Sequence, residues 1–546
     1  MKNRLRSEEV NLQYRNPLAN DYLSDFARVQ QFFTYNPYRR ESFEARYNYL
    51  KERTFQRDTV AAALRQYNSK LGAGPETLNN IELLSQPGTV AVVTGQQAGI
   101  LGGPLYSVYK ALTAVQLAAK LTRELNRPVV PVFWIAAEDH DYLEVNDLHV
   151  LDREGRPVRL KLDYTPAGKY SVGDIAVPGE YSSLLAELAE KTSDTEFKPE
   201  LLDLFEKTAG QSGNLAEWFG RIMLHWLGFA GLIMVNPMEQ SLRGLEKDLF
   251  KTAALRYGEV NNLVAETGMA LAAKGYPVAV EKDPGNVNLF MYRGRERLAL
   301  LSSGDRFGLR GSGEIFTMEE ILQKIEADPS GFSPNVVLRP LSQDVLFPTI
   351  AYVGGPGEIN YCCQYKQVYE LFGMEMPVIF PRANLTLVEG SVENYLRKYG
   401  LSLKDIVYRP DEVGKQHLDS RDEVGIEGVF AGLERDISSA YEKALPLIMT
   451  VDQSLDKLGR ENRDRVLAQV EWLKGKTLQA HRKANDVFVR QFRKLCNSLA
   501  PGGQLQERYL SGAYFALKYG PTLFRDLARG VDFVGNTQHK LAFIKN

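Results

Sequence analysis

The stretch "AVVTGQQAGILGGPLYSVYKALTAV" at residues 91–115 changes its pattern of apolar residues twice. It opens as an apolar strand, passes through a loop rich in glycine, and resumes with apolar residues at helical spacing. A strand that turns into a helix points unpaired backbone N–H groups, and the positive end of the helix dipole, at whatever lies above the turn. The stretch therefore predicts a strand–turn–helix unit that binds a phosphate or a carboxylate. Its spacing matches neither the dinucleotide fingerprint nor the Walker loop, so an ordinary structural turn remains an alternative.

The same alternation of strand and helix continues along the chain. Segments that are apolar at nearly every position are separated by helical patterns; they are TVAVVT at 89–94, VVPVFWIA at 129–136, GLIMV at 231–235, TIAYV at 349–353 and PVIF at 377–380. Strands that are buried on both faces and joined by helices are typical of a parallel sheet. The sequence therefore predicts an α/β fold with a doubly wound parallel sheet.

The predicted sheet belongs to a core at 86–424, preceded by a helical layer at 1–85 that is rich in aromatic and charged residues. Two gaps between its strands are too long for a single crossover helix. We therefore expect insertions at about 150–215 and 255–335. A C-terminal segment at 501–546 follows the last helical pattern.

Residues 425–500 have a different pattern from the core. Apolar residues recur every three and four positions, and the pattern breaks at GREN, 459–462. This spacing predicts an antiparallel helical hairpin with a coiled-coil seam. Each arm is too long to be covered by a small domain, so the pattern also predicts a homodimer through the coiled coil.

Composition and charge argue against several classes of protein. A formal net charge of −2 over 546 residues gives no overall basic field, which disfavours nucleic acid as a partner. The chain has no apolar stretch long enough for a membrane span, and its charged start lacks the apolar core of a secretion signal. Three cysteines make neither a disulfide framework nor a metal-ligand set. We therefore expect a cytoplasmic protein with no membrane partner and no metal.

Charged residues follow the second predicted strand directly, as Glu138, Asp139, His140 and Asp141. Ligands of open α/β sheets bind at the carboxyl ends of the strands, so this cluster and the glycine turn should share one edge of the sheet. The predicted catalytic residues are these four, with His140 as a general base or an orienter of an amine. Neighbouring carboxylates should keep its imidazolium charged closer to neutral pH.

Two alternatives remain open for this cluster. In the first, Asp139 and Asp141 cap a following helix and His140 is a solvated surface residue. In the second, a divalent metal is held by Glu138, Asp139, His140 and His149, although consecutive residues seldom all point at one ion.

The first glycine turn supplies the predicted substrate-binding residues Thr94, Gly95, Gln96 and Gln97. A second glycine turn, VGGPGEINY at 353–361, also follows a strand and enters a helix.

In the second turn Gly355, Glu358 and Asn360 are predicted to bind a polar ligand. Arg339 and Arg382 lie beside neighbouring strands and could bind a carboxylate bidentately, although for each a structural ion pair is the alternative.

The chain resembles the cysteine ligases of bacillithiol biosynthesis, the BshC family. The likeness covers essentially the whole chain. The residues that carry it are VTGQQAGILGGPLYSVYKA at 93–111, PVFWIAAEDHDYLEVN at 131–146, SPNVVLRPLSQDVLFPTIAYVGGPGEINY at 333–361 and LQERYL…KYGP at 505–521.

This resemblance implies a Rossmann-like core with two inserted connecting modules and a C-terminal α-helical coiled-coil domain through which two chains dimerise. It implies the last step of bacillithiol synthesis, an amide between the carboxyl group of cysteine and the amine of glucosaminyl-malate. It also implies an adenine nucleotide, ATP or ADP, near the coiled coil. The turn at 95–99 reads GQQAG instead of a His-x-Gly-His motif, and no KMSKS-type loop follows, so the likeness supports amide formation better than adenylation. A non-catalytic dimeric nucleotide-binding or regulatory protein is the alternative.

Overall fold

A computed structural model of the chain describes residues 5–281, 283–535 and 538–544. The chain divides into two compact units, one made of residues 1–390 with 504–546 and the other of residues 391–503. The strands are β1 (Leu5–Val10), β2 (Val90–Gln96), β3 (Val129–Ile135), β4 (Asp147–Leu151), β5 (Pro157–Lys161), β6 (Ile233–Val235), β7 (Asn286–Arg293), β8 (Glu296–Ser303), β9 (Arg306–Leu309), β10 (Ile315–Phe316), β11 (Phe332–Pro334), β12 (Thr349–Gly354), β13 (Val378–Pro381), β14 (Leu385–Glu389) and β15 (His539–Ile544).

Helices connect these strands and build the second unit. In chain order they are α1 (Pro17–Ser24), α2 (Arg40–Lys51), α3 (Arg57–Leu71), α4 (Pro75–Ser85), α5 (Leu105–Leu125), α6 (Tyr181–Lys191), α7 (Lys198–Gly210), α8 (Leu215–Leu227), α9 (Gln240–Arg243), α10 (Lys247–Ala273), α11 (Met318–Ala327), α12 (Arg339–Leu346), α13 (Pro356–Cys362), α14 (Lys366–Leu371), α15 (Gly390–Tyr399), α16 (Leu403–Tyr408), α17 (Pro410–Asp419), α18 (Ile426–Met449), α19 (Leu455–Ala484), α20 (Asp486–Leu499), α21 (Gln506–Tyr509), α22 (Gly512–Tyr519) and α23 (Leu523–Gly530).

A five-stranded parallel sheet in the order β13-β12-β2-β3-β6 forms the centre of the first unit. Its strands are the five apolar segments predicted from the sequence. All residues of β3 and β12 are buried, which is what strands covered on both faces require. The prediction of a doubly wound parallel sheet is confirmed.

The order of the strands positions the site. From β2 the chain continues outward through β3 to β6, and then returns to place β12 and β13 on the other side of β2. A crevice opens at the carboxyl ends of strands where the order reverses in this way, and ligands of such folds bind there. The turns after β2 and β12 therefore face the same crevice.

Both long gaps between the strands of the central sheet carry additional structure. The first holds the antiparallel hairpin β4–β5 and the helices α6 to α8. The second holds α10, α11 and an antiparallel sheet in the order β10-β9-β8-β7-β11. These inserted parts supply residues that contact the turns at the edge of the central sheet.

The two ends of the chain meet in a third sheet, which corrects the expectation of a purely helical N-terminal layer. Strand β1 pairs antiparallel with β15, and β15 pairs in parallel with β14. Helices α21 to α23 belong to the same unit. The C-terminal segment therefore completes the first unit.

The second unit, residues 391–503, contains α16 to α20 and most of α15. It begins before the predicted boundary at 425, because α15 to α17 group with the hairpin instead of the core. Helices α18 and α19 run antiparallel, as the 2.8 Å ion pair between Glu427 and Lys474 and the hydrogen bond from Tyr441 to Asn462 show.

The turn of this hairpin also corrects a prediction. It lies at 450–454, where Asp452 accepts a hydrogen bond from the Ser454 N–H at 2.8 Å, and GREN at 459–462 lies within α19. Within this helix, the side chain of Leu445 occupies the space that a Cβ at 459 would need, so the glycine allows α18 and α19 to pack closely. None of the helices in the described parts of the chain has both the length and the apolar character of a transmembrane span.

Candidate active site

A pocket of about 430 Å³ opens at the carboxyl edge of the central sheet. Its walls come from the turns after β2, β3, β12 and β13 and from helices α5, α12, α13 and α21. Eight of the residues that the sequence offered for the site line it together: Gly95, Gln96, Gln97, Asp139, Arg339, Gly355, Glu358 and Arg382. Five others lie outside its lining: Thr94, Glu138, His140, Asp141 and Asn360.

The first glycine turn does not present a helix N-terminus to the pocket, contrary to the prediction. The backbone N–H of Leu105, the first residue of α5, donates to the Leu510 carbonyl at 2.9 Å. Gly102, with φ of +85°, leaves no room for a Cβ beside the ring of Trp226. The loop therefore serves packing, and only its first part, Gly95 to Gln97, reaches the pocket.

Gly95 is required at its position by close approach. A Cβ there would lie 2.7 Å from the Trp134 carbonyl oxygen on the neighbouring strand. The Gly95 carbonyl accepts a hydrogen bond from Lys110 at 2.7 Å. The turn is thus tied both to β3 and to α5.

Lys110 is a residue that the sequence reasoning missed. Its ammonium group is buried and donates to Gln96 Oε1 at 2.9 Å, in addition to Gly95, and forms an ion pair of 2.5 Å with Glu358 Oε2. Tyr106 and Lys110 stand four residues apart on α5, so one face of that helix meets the pocket. The sequence did hold a signal for Lys110, because Tyr106 and Lys110 are polar residues four positions apart that follow the glycine loop directly.

Glu358 accepts hydrogen bonds on both carboxylate oxygens. The Gly355 N–H donates to Oε2 at 2.8 Å, and the Tyr352 hydroxyl donates to Oε1 at 2.5 Å. Burial raises the pKa of Glu358, but Lys110 and these donors outweigh it and hold the pKa below its usual range. Glu358 is therefore an anion at neutral pH and organises the second glycine turn.

Three guanidinium groups line the pocket, and they differ in their partners. Arg339 donates to the Tyr361 hydroxyl at 2.9 Å, and Arg382 donates to Glu507 Oε1 at 2.8 Å. Within the described residues no carboxylate forms an ion pair with Arg339 or with the exposed Arg508. Arg339 feels the Glu358 carboxylate through the Tyr361 hydroxyl, but neither Arg339 nor Arg508 is bound directly by a carboxylate, so both can bind an anionic ligand.

Asp139 is a second carboxylate in the lining of the pocket, besides Glu358. Gln97 Nε2 donates to Asp139 Oδ2 at 3.0 Å and to Glu144 Oε2 at 2.7 Å. The backbone around Asp139 is fixed by the first insertion, because the Val172 N–H donates to the Asp139 carbonyl at 2.8 Å. The carboxylate is therefore held at a defined place beside the pocket.

Glu138 points away from this pocket into a buried ion cluster. It pairs with Arg243, which also pairs with Glu246 at 2.6 Å, and all three side chains are buried. Burial raises the pKa of Glu246 to about 7. Glu138 was predicted to be catalytic, but its contacts are those of a structural ion pair.

His140 is half-buried and is held by the second insertion. Its Nδ1 lies 3.5 Å from Arg297 Nη1, and its ring centroid lies 5.8 Å from that of Phe290. Burial and the Arg297 charge lower the pKa of His140 and outweigh Asp139 and Asp141. The expectation that neighbouring carboxylates keep this imidazolium charged is therefore wrong.

The remaining predicted residues have structural surroundings. Thr94 Oγ1 donates to the Val353 carbonyl at 2.9 Å and so joins β2 to β12. Asn360 is buried, with an Oδ1 that has no hydrogen-bond partner among the described residues. Asp141 is exposed and makes no side-chain cap at the short helical turn that it precedes.

The metal alternative gains no support from the positions of its four residues. His149 packs against the Tyr509 ring at 4.3 Å between centroids, and its Nδ1 lies 3.7 Å from Asp147. Over residues 5–281, 283–535 and 538–544, no group of three or more His, Cys, Asp and Glu side chains is arranged to hold a metal ion.

Comparison with known families matches nearly the whole chain. Residues 5–383 match the family described as "Bacillithiol biosynthesis BshC, N-terminal Rossmann-like domain", and residues 385–544 match "Bacillithiol biosynthesis BshC, C-terminal coiled-coil domain". The chain belongs to the BshC family. The fold class and the family expected from the resemblance are thereby confirmed.

Relatives in the BshC family are similar over their full length. A protein from Desulforamulus reducens named "Putative cysteine ligase BshC" is 34% identical, with 99% of this chain and 100% of the relative covered. One of the same name from Symbiobacterium thermophilum is 38% identical, with 96% and 97% covered. A solved structure of a "putative arginyl t-RNA synthetase" from Campylobacter jejuni covers 84% of this chain and 99% of its own at 11% identity and a TM-score of 0.21, and a likeness of that size carries no argument.

Proposed function

We propose that this pocket joins the carboxyl group of cysteine to the amine of glucosaminyl-malate, forming the amide of bacillithiol. The observation that carries the proposal is the set of charged groups that line the pocket: Arg339 and Arg508, which form no ion pair with a carboxylate of the described residues, and the carboxylate of Asp139. Malate contributes carboxylates and the sugar contributes an amine, so the ligand has the complementary charges. The name "cysteine ligase" of the relatives supports the same reaction.

The positive and the negative groups of the pocket have distinct tasks in this reaction. The guanidinium groups of Arg339 and Arg508 bind the malate carboxylates, because planar forked donors match carboxylate oxygens. Asp139 binds the ammonium group of the sugar and accepts its proton, since an amine attacks only in its neutral form. A C–N bond then forms at the cysteine carboxyl carbon as the group that activates this carbon leaves.

Activation of that carboxyl group is proposed to be nucleotide-linked. A bound adenine nucleotide would supply a phosphate-based leaving group when it is ATP, whereas ADP would be the spent form. Arg339 and Arg508 fit a phosphate as well as a carboxylate, and neither forms a direct ion pair with a carboxylate in the described part of the chain.

We also propose that the protein is a cytoplasmic homodimer formed through the second unit. Several large apolar side chains of α18 and α19 are exposed in the single chain, among them Val429, Leu433, Trp472 and Leu473. Scattered apolar residues are normal on a surface, but the number on this one hairpin favours an interface in which a second copy of the chain buries them.

Asp139→Asn tests the proposed chemistry directly. Asparagine keeps the shape of the side chain and removes the charge that binds the ammonium group. With purified protein, cysteine, glucosaminyl-malate and ATP, we expect kcat to fall by about 100-fold or more. Asp141→Asn is the matched control, since Asp141 is exposed and outside the pocket lining, and it should leave turnover near normal. Absence of product with the unchanged protein would refute the function, and a normal rate for Asp139→Asn would remove Asp139 from the mechanism.

A further inference from the structure

Helix α12 presents two polar side chains to the pocket. Arg339 and Gln343 lie four residues apart, which places them one turn from each other on the same face of the helix. Both line the pocket. A ligand held at Arg339 therefore has Gln343 about one helical turn, or about 5 Å, further along.

The amide of Gln343 has no partner in the described part of the protein. Neither its Oε1 nor its Nε2 forms a hydrogen bond there, and neither atom is fully covered by its neighbours. Because the residue is only 2% exposed, the little surface that it keeps lies at the amide. A buried amide costs free energy unless a ligand or a water binds it.

Gln343 differs in this respect from the two other glutamines that line the pocket. Gln96 uses both ends of its amide, since Nε2 donates to the Tyr106 hydroxyl at 3.0 Å and Oε1 accepts from the lysine of α5 at 2.9 Å. Gln97 donates from Nε2 to two carboxylates, one of which is Asp139. Those amides hold the wall of the pocket together, whereas the Gln343 amide is available to a ligand.

Two spaces border Gln343, because a small inner cavity of about 10 Å³ shares Gln343 and Tyr352 with the pocket. That cavity has room for about one water, and its walls include Asp344 and Tyr365, whose Oδ1 and hydroxyl are buried without a partner in the described residues. An amide has two N–H donors and an oxygen with two lone pairs, which is more than one water can satisfy. Hydrogen-bonding capacity of Gln343 therefore remains for the pocket, whether or not the inner cavity holds a water.

A neutral amide selects a different ligand group from the charged residues of the pocket. It donates and accepts at once, as a hydroxyl group does, so the two match as hydrogen-bond partners. In the proposed reaction the malate carboxylates and the sugar amine bind to Arg339, Arg508 and Asp139. The hydroxyl groups of the sugar are the polar groups of this substrate that still lack a protein partner.

We propose that Gln343 binds a sugar hydroxyl group of the ligand. The inference rests on the proposed function, which supplies two sources of such a hydroxyl, the glucosamine of glucosaminyl-malate and the ribose of ATP. The place of Gln343 one turn from Arg339 favours the glucosamine, because the malate that Arg339 binds is attached to this sugar. A site built around a hydroxyl rejects analogues that lack it, since its own polar group is then left unpaired.

Gln343→Met tests the contact, with Gln323→Met as the matched control. Methionine keeps the length and the unbranched shape of the side chain but cannot replace the hydrogen bonds of the amide. Gln323 is exposed on α11 and lies outside the pocket lining. We expect Gln343→Met to raise the KM for glucosaminyl-malate by about tenfold with little change for ATP, while Gln323→Met changes neither. A rise for ATP alone would assign the hydroxyl to the ribose.

The melting temperature separates a ligand contact from a structural one. Replacing a buried, unpaired amide by an apolar side chain of the same shape is neutral or stabilising, so Gln343→Met should melt at the same or a higher temperature. A lower melting temperature with unchanged KM values would mean that the amide serves the inner cavity, and it would overturn the proposal. Gln343→Leu takes the place of Gln343→Met if the methionine variant does not fold.

Calorimetric titration separates this inference from the proposed function, because binding requires no turnover. With glucosaminyl-malate, ATP and succinate as probes, we expect Gln343→Met to lose about tenfold in affinity for glucosaminyl-malate and none for succinate, which has carboxylates but no hydroxyl. Unchanged affinities for glucosaminyl-malate and ATP, or equal losses for all the probes, would overturn the proposal. An unchanged protein that binds neither glucosaminyl-malate nor ATP would refute the proposed function together with it.

Discussion

The Lys110 ammonium group lies 2.5 Å from Glu358 Oε2, at the floor of the pocket. Lys110 comes from the helix after the first glycine turn and Glu358 from the helix after the second. The pair thus connects the two strands at which the order of the sheet reverses, β2 and β12. It holds both turns in one arrangement around the ligand.

Lys110→Met should destabilise the protein strongly. Removing the ammonium group leaves the Glu358 carboxylate in the pocket floor without its counter-ion, and breaking a buried pair in this way costs about 3–5 kcal/mol in the free energy of unfolding. Urea denaturation measures the change. The double variant Lys110→Met/Glu358→Gln should recover part of the loss, because no unpaired charge remains. A single variant as stable as the unchanged protein would contradict the assigned role of the pair.

His140→Ala should leave turnover within about threefold of normal, in contrast to Asp139→Asn. The His140 ring contacts Phe290 and Arg297 and lies outside the pocket lining. The loss of these contacts should cost about 1 kcal/mol of folding free energy. Product formation with both substrates saturating, together with a melting curve, measures both effects. A rate loss of about 100-fold would reinstate His140 as the base.

Acidification should destabilise the first unit through His539. Burial lowers the pKa of His539 to about 4, from an ordinary value near 6.5. The unfolded chain therefore binds a proton between these values that the folded chain does not, so stability is fully present above pH 6.5 and is lost as pH falls through 4. The loss should reach about 3 kcal/mol.

The variant His539→Gln isolates this contribution. Glutamine keeps a polar group near Thr386 Oγ1, which lies 2.8 Å from His539 Nε2, but it does not titrate. Urea denaturation of both proteins at pH 7 and pH 4 should show a smaller decrease for the variant. Equal decreases in the two proteins would mean that folding does not lower the pKa of His539.

Dimerisation should depend on the exposed apolar residues of the hairpin. Trp472 is 59% exposed and Val429 54% exposed in the single chain. We expect light scattering at micromolar concentration to give a dimer for the full chain and a monomer for Trp472→Glu, because a charge in an apolar interface is costly. Lys457→Glu, on an exposed polar side chain of α19, should remain dimeric. A monomeric full chain would show that another partner covers the hairpin.

The sequence by itself determined the central sheet and the crevice at its edge. The five strands are apolar at nearly every position, and this pattern arises only where both faces of a strand are covered. Parallel strands end at a common edge, so the turn with Gly95 and the turn with Gly355 could be placed together without coordinates. The sequence also predicted the helical hairpin correctly. It placed the turn at GREN, 459–462, instead of 450–454, because Gly459 was taken as a helix breaker although it serves close packing within α19.

Only the tertiary structure decided which side chains meet in the pocket. His140 has two carboxylate neighbours in the chain, yet its pKa is set by burial and by Arg297, which arrives from the second insertion. Arg508 reaches the pocket from the C-terminal segment, with no local pattern that marks it. Electrostatic and hydrogen-bonding interactions act over a few ångströms in space, whereas the sequence reports neighbours along the chain, so the charges that govern this site became visible only once the chain was folded.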